Sequence, residues 1–243
     1  MDLARLLSFK MTPGTCLLCL SLTGHRADIC KACIHDLPWL NNPCAYCALP
    51  LETFDYESPS PRLCQRCHSK KPPFSALLAG FEYRFPIDHL IYAFKDHNNF
   101  AAGHLLTQLA LLRIISQLPA IEGNEIIVPV PTHWKTRRRR GFNQSEFIAA
   151  HLARILRLEL KQPLVQTRST SPQKRLSKLE RHTNLRHAFS ANVPLRHRVL
   201  LIDDVVTTGA TADTITTLLI DSGAEDVIVV ALARTPSAAG MLV

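Results

Sequence analysis

The sequence has no apolar run of about 18 residues, so no membrane-spanning helix is expected. A secretory leader is not expected either. Leu3, Leu6 and Leu7 fall between Arg5 and Lys10, too short and interrupted a stretch, and read instead as a weak amphipathic turn or frayed terminus. The cytosol is the default expectation. Cysteine is absent beyond position 67. Segment 12–72 has few large apolar residues, Leu17, Leu18, Leu37, Trp39 and Phe54 among them, so a hydrophobic core alone would hold it poorly. No stretch reads as a purine or pyrimidine pocket. What remains is a globular chain, 47% hydrophobic with mixed charge, long enough for one large or two modest domains.

The eight cysteines form four Cys-x-x-Cys pairs: Cys16/Cys19, Cys30/Cys33, Cys44/Cys47 and Cys64/Cys67. A two-residue spacer lets both thiolates of a knuckle face one ion, and a tetrahedral zinc site takes two knuckles. Eight ligands therefore suit two closed, structural Zn2+ sites, whose binding energy would replace much of the missing core. A disulfide framework would need an oxidising compartment that nothing else suggests, and a redox motif would explain one pair rather than four. Consecutive and interleaved pairings of the knuckles are both open. His25, His35 and His68 are available as ligands, but eight thiolates leave them solvent-facing. This gives a double zinc ribbon over 12–72, with Ser69–Pro73 as linker because its paired prolines and lysines continue neither side.

Charge separates the two halves. Residues 1–73 carry 8 Lys/Arg against 6 Asp/Glu, and residues 74–243 carry 20 against 14. Two zinc ions on eight thiolates would move the first half from +2 to −2 and the formal +8 of the chain to +4. The basic excess thus belongs to the second half, which suggests an anionic partner there.

That half, 74–235, alternates strand and helix patterns. Leu77–Tyr83, Glu125–Val130, Leu164–Val165, Val199–Ile202 and Asp226–Leu232 read as strands. Ile87, Leu90, Ile91 and Phe94 follow helix spacing, as do Leu105, Leu109 and Leu112, then Ile148, Leu152, Ile155 and Leu156, then Ile215, Leu218 and Leu219. The alternation predicts an α/β domain with a mainly parallel sheet flanked by helices. Ligands in such sheets lie at the carboxyl ends of strands.

The richest such edge is Val199–Thr211. Four apolar residues lead into Asp203 and Asp204, followed by Val205, Val206, Thr207, Thr208, Gly209, Ala210 and Thr211 at the start of a helix. Small residues let backbone N–H groups approach an anion, and the helix N-terminus adds its dipole. Threonine hydroxyls donate to phosphate oxygens, while the two carboxylates accept from vicinal hydroxyls. The set matches a sugar phosphate; the plainer alternative is a strand–turn–helix with ordinary capping.

Two basic stretches flank it in sequence. Lys135, Arg137, Arg138, Arg139 and Arg140 lie between Trp134 and Phe142, and read as a loop that meets pyrophosphate, follows a nucleic acid or is merely solvated. The flanking aromatics favour contact with bases. Gly141-Phe142-Asn143-Gln144 reads as a turn into the next helix, capped by Asn143 or Ser145. Thr167–Asn184 holds Arg168, Lys174, Arg175 and Arg181; across 168–187 there are six Lys/Arg and one Glu. It is a candidate for a closing basic lid, or for a disordered loop.

Val199–Thr211 resembles the phosphoribosyl-pyrophosphate (PRPP) motif of type I phosphoribosyltransferases. The resemblance implies that Asp203 and Asp204 meet the ribose hydroxyls and Thr207–Thr211 the 5′-phosphate. Together with the cysteine knuckles, Arg-Arg-Gly-Phe-Asn-Gln, and Gln173, Leu176, Arg181 and Asn184, the chain from about 14 to 235 resembles the competence-protein-F (ComF) family, including its GntX-like members. That implies a cytoplasmic protein of DNA uptake in natural transformation, acting on single-stranded DNA at or near the inner face of the inner membrane. A competence helicase or the membrane uptake machinery would be its partner. PRPP with Mg2+ would be its ligand, as regulator or as substrate. The other reading is a salvage phosphoribosyltransferase that moves ribose 5-phosphate from PRPP to a base. Fold alone does not choose between them.

Overall fold

The computed structural model describes residues 14–24, 27–51, 62–166, 189–191 and 196–236. In chain order the elements begin with two short helices, α1 (Lys31–His35) and α2 (Gln65–Ser69), then β1 (Ala76–Glu82), α3 (Ile87–Asp96) and α4 (Phe100–Ile115). Next come β2 (Glu125–Pro129), α5 (Trp134–Arg140), α6 (Gln144–Leu156), β3 (Glu159–Leu160), β4 (Leu164–Gln166) and β5 (Phe189–Ala191). The chain closes with β6 (Arg198–Val206), α7 (Ala210–Asp221) and β7 (Asp226–Arg234).

Five strands form one sheet in the order β1-β7-β6-β2-β3, every neighbouring pair parallel. β4 and β5 make a separate antiparallel pair. Parallel strands covered on both faces are apolar throughout, and residues 199–202 and 227–233 are buried without a break. Side chains alternate between two cores. Leu200, Ile202, Ile228 and Val230 pack with α3, α4 and α6, while Val199, Leu201, Val227 and Val229 pack with Ile215 and Leu219 of α7. The anticipated strands are therefore present. Two are longer than their apolar runs: β6 continues through Asp203 and Asp204 to Val206, and β7 to Arg234, because these ends still pair with each other.

The cysteine-rich segment contributes to both cores. Cys16, Ala27, Ile29 and Leu37 join the first, and Leu40, Cys44, Cys47, Cys64 and Cys67 the second. Between them the chain crosses the outer edge of β1. Glu82 N–H donates to Pro38 O at 2.8 Å, and Leu40 N–H donates to Gly80 O at 3.1 Å. Trp39 stacks on Phe81 with ring centroids 4.8 Å apart. These bonds cover an edge that would otherwise present unpaired backbone.

The topology also sets where a ligand can enter. From β2 the chain winds through α6 to β3 on one side; from β6 it winds through α7 to β7 on the other. The direction reverses between β2 and β6, and α6 and α7 lie on opposite faces. The carboxyl ends of those two strands are thus the topological switch point, where sheets of this kind take their ligands. On the first face α4 lies directly on β1, since a Cβ at Gly80 would stand 2.7 Å from Ala110 Cα. Gly80→Val should therefore push α4 off the sheet and cost about 1–3 kcal/mol. A denaturant midpoint equal to wild type would contradict that packing.

Candidate functional site

The switch point is built by two helix starts and one strand end. Asn143 caps α6, its Oδ1 accepting from Ser145 N–H at 3.0 Å, while its Nδ2 donates to Val130 O at 3.0 Å just past β2. Asn143 is buried, so the second bond fixes this cap to the end of β2. Ser145 Oγ then reaches Asp203 Oδ1 at 3.4 Å. Asp203 also accepts from Asp204 N–H at 2.9 Å, and Asp204 Oδ1 accepts from Val205 N–H at 2.6 Å.

Asp204 pairs with Lys95 of α3, Nζ to Oδ2 at 2.8 Å. Burial pushes the Asp203 carboxyl up to about 7, and the neighbouring Asp204 charge pushes it the same way. Its hydrogen bonds and Lys95 oppose the rise without cancelling it. Asp203 is thus held desolvated beside Asp204 at the end of an apolar strand.

Beyond it, Val205 packs on the first core and Val206 is buried, whereas Thr207 and Thr208 are exposed. Gly209 is the N-cap of α7 with φ 83°, a left-handed conformation that a side chain disfavours. Thr208 Oγ1 accepts from Ala210 N–H at 3.3 Å, and Ala210 and Thr211 open the helix. The exposed threonines, the glycine turn and the N-terminus of a twelve-residue helix lie together beside the acid pair, the type of arrangement that suits an anion.

The arginine run is not the loop its sequence suggested. Trp134–Arg140 is a helix, α5, with the His133 ring nitrogen accepting from Lys135 N–H at 3.3 Å and Gly141 in the left-handed C-cap at φ 81°. Lysine and arginine are good helix formers, and cations suit a helix C-terminus. Arg137 pairs with Glu146 at 2.9 Å; Arg139 and Arg140 approach Asp96 at 3.7 and 3.3 Å. Lys135 lies over the Trp134 ring, and Arg138 is exposed.

The two flanking aromatics differ. Trp134 is 58% exposed, but Phe142 is half-buried against Phe94 and Phe100, with centroids 5.2 and 4.9 Å apart. Phe142 is therefore a packing residue rather than an open stacking platform. Lys174, Arg175 and Arg181, with the rest of the anticipated lid, lie outside the described residues.

The cysteines assemble consecutively. Cys16, Cys19, Cys30 and Cys33 form one cluster and Cys44, Cys47, Cys64 and Cys67 the other, the sulfurs of each within 4.8 Å of one another. All eight are free thiols. Cys19 and Cys30 are 3.7 Å apart and Cys47 and Cys64 3.6 Å, far beyond a disulfide bond. They match the edge of about 3.8 Å expected for a tetrahedron with zinc–sulfur bonds of about 2.3 Å.

Backbone N–H groups already donate to sulfur, Cys33 to Cys30 and Cys64 to Cys44. Hydrogen bonds, those from Cys47 first, lower the Cys44 thiol to about 4, while burial raises Cys67 to about 12. The donor set and spacing fit two zinc ions. His35 and His68 are exposed, and His25 lies outside the described residues.

Three groups of this neighbourhood carried no sequence signal. Lys95 sits in an ordinary amphipathic helix. Arg66 lies inside the fourth knuckle, and Arg234 ends an apolar strand, yet both reach the Thr207–Thr208 turn.

Residues 143–242 match the phosphoribosyl transferase domain family. Over 228 residues the chain is 33% identical to the DNA utilization protein YhgH of Escherichia coli K12, covering 92% of this chain and 98% of that one. It is 31% identical over 220 residues to competence protein F of Haemophilus influenzae, covering 86% of this chain and 91% of that one. The chain belongs to the competence-protein-F family. A glutamine PRPP amidotransferase from B. subtilis aligns over 54% of this chain and 26% of its own, with 21% identity and a TM-score of 0.37, too slight a likeness to argue from. This ComF-like protein thus couples a phosphoribosyltransferase-like sheet to two zinc-type cysteine clusters. Among its described residues no helix is long and apolar enough to cross a membrane.

Two measurements follow. Cys47→Ser/Cys64→Ser should retain about one of two zinc ions by elemental analysis; loss of both, or of neither, would contradict separate consecutive sites. Asp203 bears on stability with a definite sign. Its folded pKa of about 7 lies above an unfolded value near 4, so the native state binds more protons between them and loses stability as pH rises through that window. Asp203→Asn should therefore raise the Tm of the ligand-free protein more at pH 8 than at pH 4, by on the order of a few degrees. An equal change at both pH values would exclude the raised carboxyl.

Proposed function

We propose that this protein binds PRPP with Mg2+ at the carboxyl end of β6 and acts on single-stranded DNA during DNA uptake. The observation that carries the reading is the continuity of Asp203 and Asp204 with the Thr207–Thr211 turn at the switch point between β2 and β6. The acid pair would accept from the ribose hydroxyls. The N–H groups and threonine hydroxyls of 207–211, with the α7 dipole, would hold the 5′-phosphate. Mg2+ would arrive with the pyrophosphate and reduce its charge. The names of the relatives, a DNA utilization protein and a competence protein, support the uptake role. A cytoplasmic position, at or near the inner face of the inner membrane and beside a competence helicase or the uptake machinery, fits the same role.

For the DNA contact, α5 is the best surface among the described residues. Glu146 and Asp96 offset Arg137, Arg139 and Arg140, so Lys135, Arg138 and the exposed Trp134 carry the proposal further than the full run does. Lys174, Arg175 and Arg181 extend the basic surface in sequence. The same arginines would meet the pyrophosphate if the site transfers ribose 5-phosphate to a base. The intact acid pair keeps that second reading alive; release of pyrophosphate on adding bases to protein and PRPP would favour it.

Calorimetric titration with PRPP–Mg2+ tests the shared claim. Asp203→Ala/Asp204→Ala should weaken binding at least tenfold, about 1.4 kcal/mol, and unchanged affinity would sink the ribose role. For DNA, Lys135→Ala/Arg138→Ala should lower the salt slope of oligonucleotide binding by about 0.7 for each lost phosphate contact. A slope identical to wild type would remove α5 from the interface.

A further inference from the structure

The turn that would hold the phosphate is itself held from the second cysteine cluster. Arg66 lies between Cys64 and Cys67 on α2, whose N-cap is Cys64. Its guanidinium donates to Thr208 O and pairs with Asp213 in the first turn of α7. Its Nη1 would lie 3.1 Å from a Cβ at Gly209. Arg234, only 3% exposed, works from the other side. It donates to Cys47 O at 3.0 Å, to Val206 O at 3.1 Å, to Thr207 O, and to Thr235 O at 2.9 Å.

Three successive carbonyls, those of Val206, Thr207 and Thr208, are therefore fixed by two arginines, each joined to a knuckle of that cluster. A trans peptide is planar, with its C=O and N–H pointing oppositely. Fixing these carbonyls also fixes the N–H groups of Thr207, Thr208 and Gly209, directed away from the arginines. Those are the groups an anion would use, set in place before it arrives.

Arg66 can hold this position only while α2 is held. That helix has five residues, too short to persist alone. Cys64 and Cys67 of the cluster stand two residues before and one residue after Arg66. We infer that metal in the Cys44/Cys47/Cys64/Cys67 cluster preorganises the phosphate turn through Arg66 and Arg234, so that zinc occupancy and sugar-phosphate binding are energetically linked. The inference rests on the proposed role of residues 207–211. Linkage is reciprocal: if zinc tightens PRPP binding, PRPP must hold zinc more firmly.

The experiment combines two readouts on the full chain. Calorimetry compares PRPP–Mg2+ affinity in wild type, Arg66→Ala, Arg66→Lys and Asp203→Asn/Asp204→Asn. The partition of zinc between the protein and a zinc-selective chromophoric chelator is then measured at equilibrium with and without saturating PRPP–Mg2+. Arg66→Ala should keep about two zinc ions yet bind PRPP about 5–150-fold more weakly. Arg66→Lys, which keeps the charge but loses the fork, should also bind more weakly and covers the case in which the alanine variant fails to fold.

In wild type, PRPP should raise the zinc affinity of one cluster at least about fivefold. The gain should vanish in the Arg66 variants and in the acid-pair variant, which controls for zinc taken up by PRPP itself. Wild-type PRPP affinity in both Arg66 variants, or zinc affinity unaffected by PRPP, overturns the linkage. If the acid-pair variant loses binding while the Arg66 variants retain it, the ribose-phosphate reading stands and this inference alone fails. No binding by wild type overturns both.

Discussion

Everything at this site depends on a strand that does not stop where its apolar residues do. β6 runs buried from Val199 to Ile202 and then carries Asp203 and Asp204 onward in the same hydrogen-bonded register with β7. Two adjacent carboxylates at that depth repel each other and lose solvation. Lys95 from α3, Ser145 from the start of α6 and the strand's own N–H groups offset part of the cost. The remainder is visible as the raised Asp203 carboxyl. Such strain is characteristic of sites built for a ligand rather than for stability. Here the ligand would bring hydroxyl donors and a cation to the place where the protein supplies too few.

The cysteine clusters stand in a different relation to the sheet from that of an appended ribbon. Their residues enter both cores, the segment around Trp39 closes the edge of β1, and the second cluster reaches the Thr207–Thr208 turn through two guanidiniums. The metal sites fit two closed four-thiolate centres, which leave no position for substrate. Metal held there would fix the short segments around the knuckles.

Much of this was legible in the sequence because its signals are local. Four Cys-x-x-Cys pairs, the apolar run into Asp-Asp, and the Thr-Thr-Gly-Ala-Thr turn each combine composition with spacing inside a dozen residues. The strands appeared for the same reason, since residues buried on both faces leave continuous apolar runs. The pairing of the knuckles was not legible, because either pairing satisfies the spacing. Lys95, Arg66 and Arg234 were invisible because their partners lie far away along the chain; Arg66 is 142 residues from Thr208. The basic run is a helix because Lys and Arg are good helix formers and Gly141 closes it as a left-handed C-cap, features that its charge masks in the sequence. Phe142 has polar neighbours in sequence, whereas its neighbours in space are Phe94 and Phe100.

The central claim is that the acid pair and the phosphate turn form a single ribose-phosphate site. A structure of the complex with PRPP and Mg2+ tests it most directly. In that complex the ribose hydroxyls should lie on Asp203 and Asp204 and the 5′-phosphate against the N–H groups of 207–211, with the carbonyls of 206–208 still turned to Arg66 and Arg234. A 5′-phosphate bound elsewhere, or density for PRPP away from the end of β6, would contradict it.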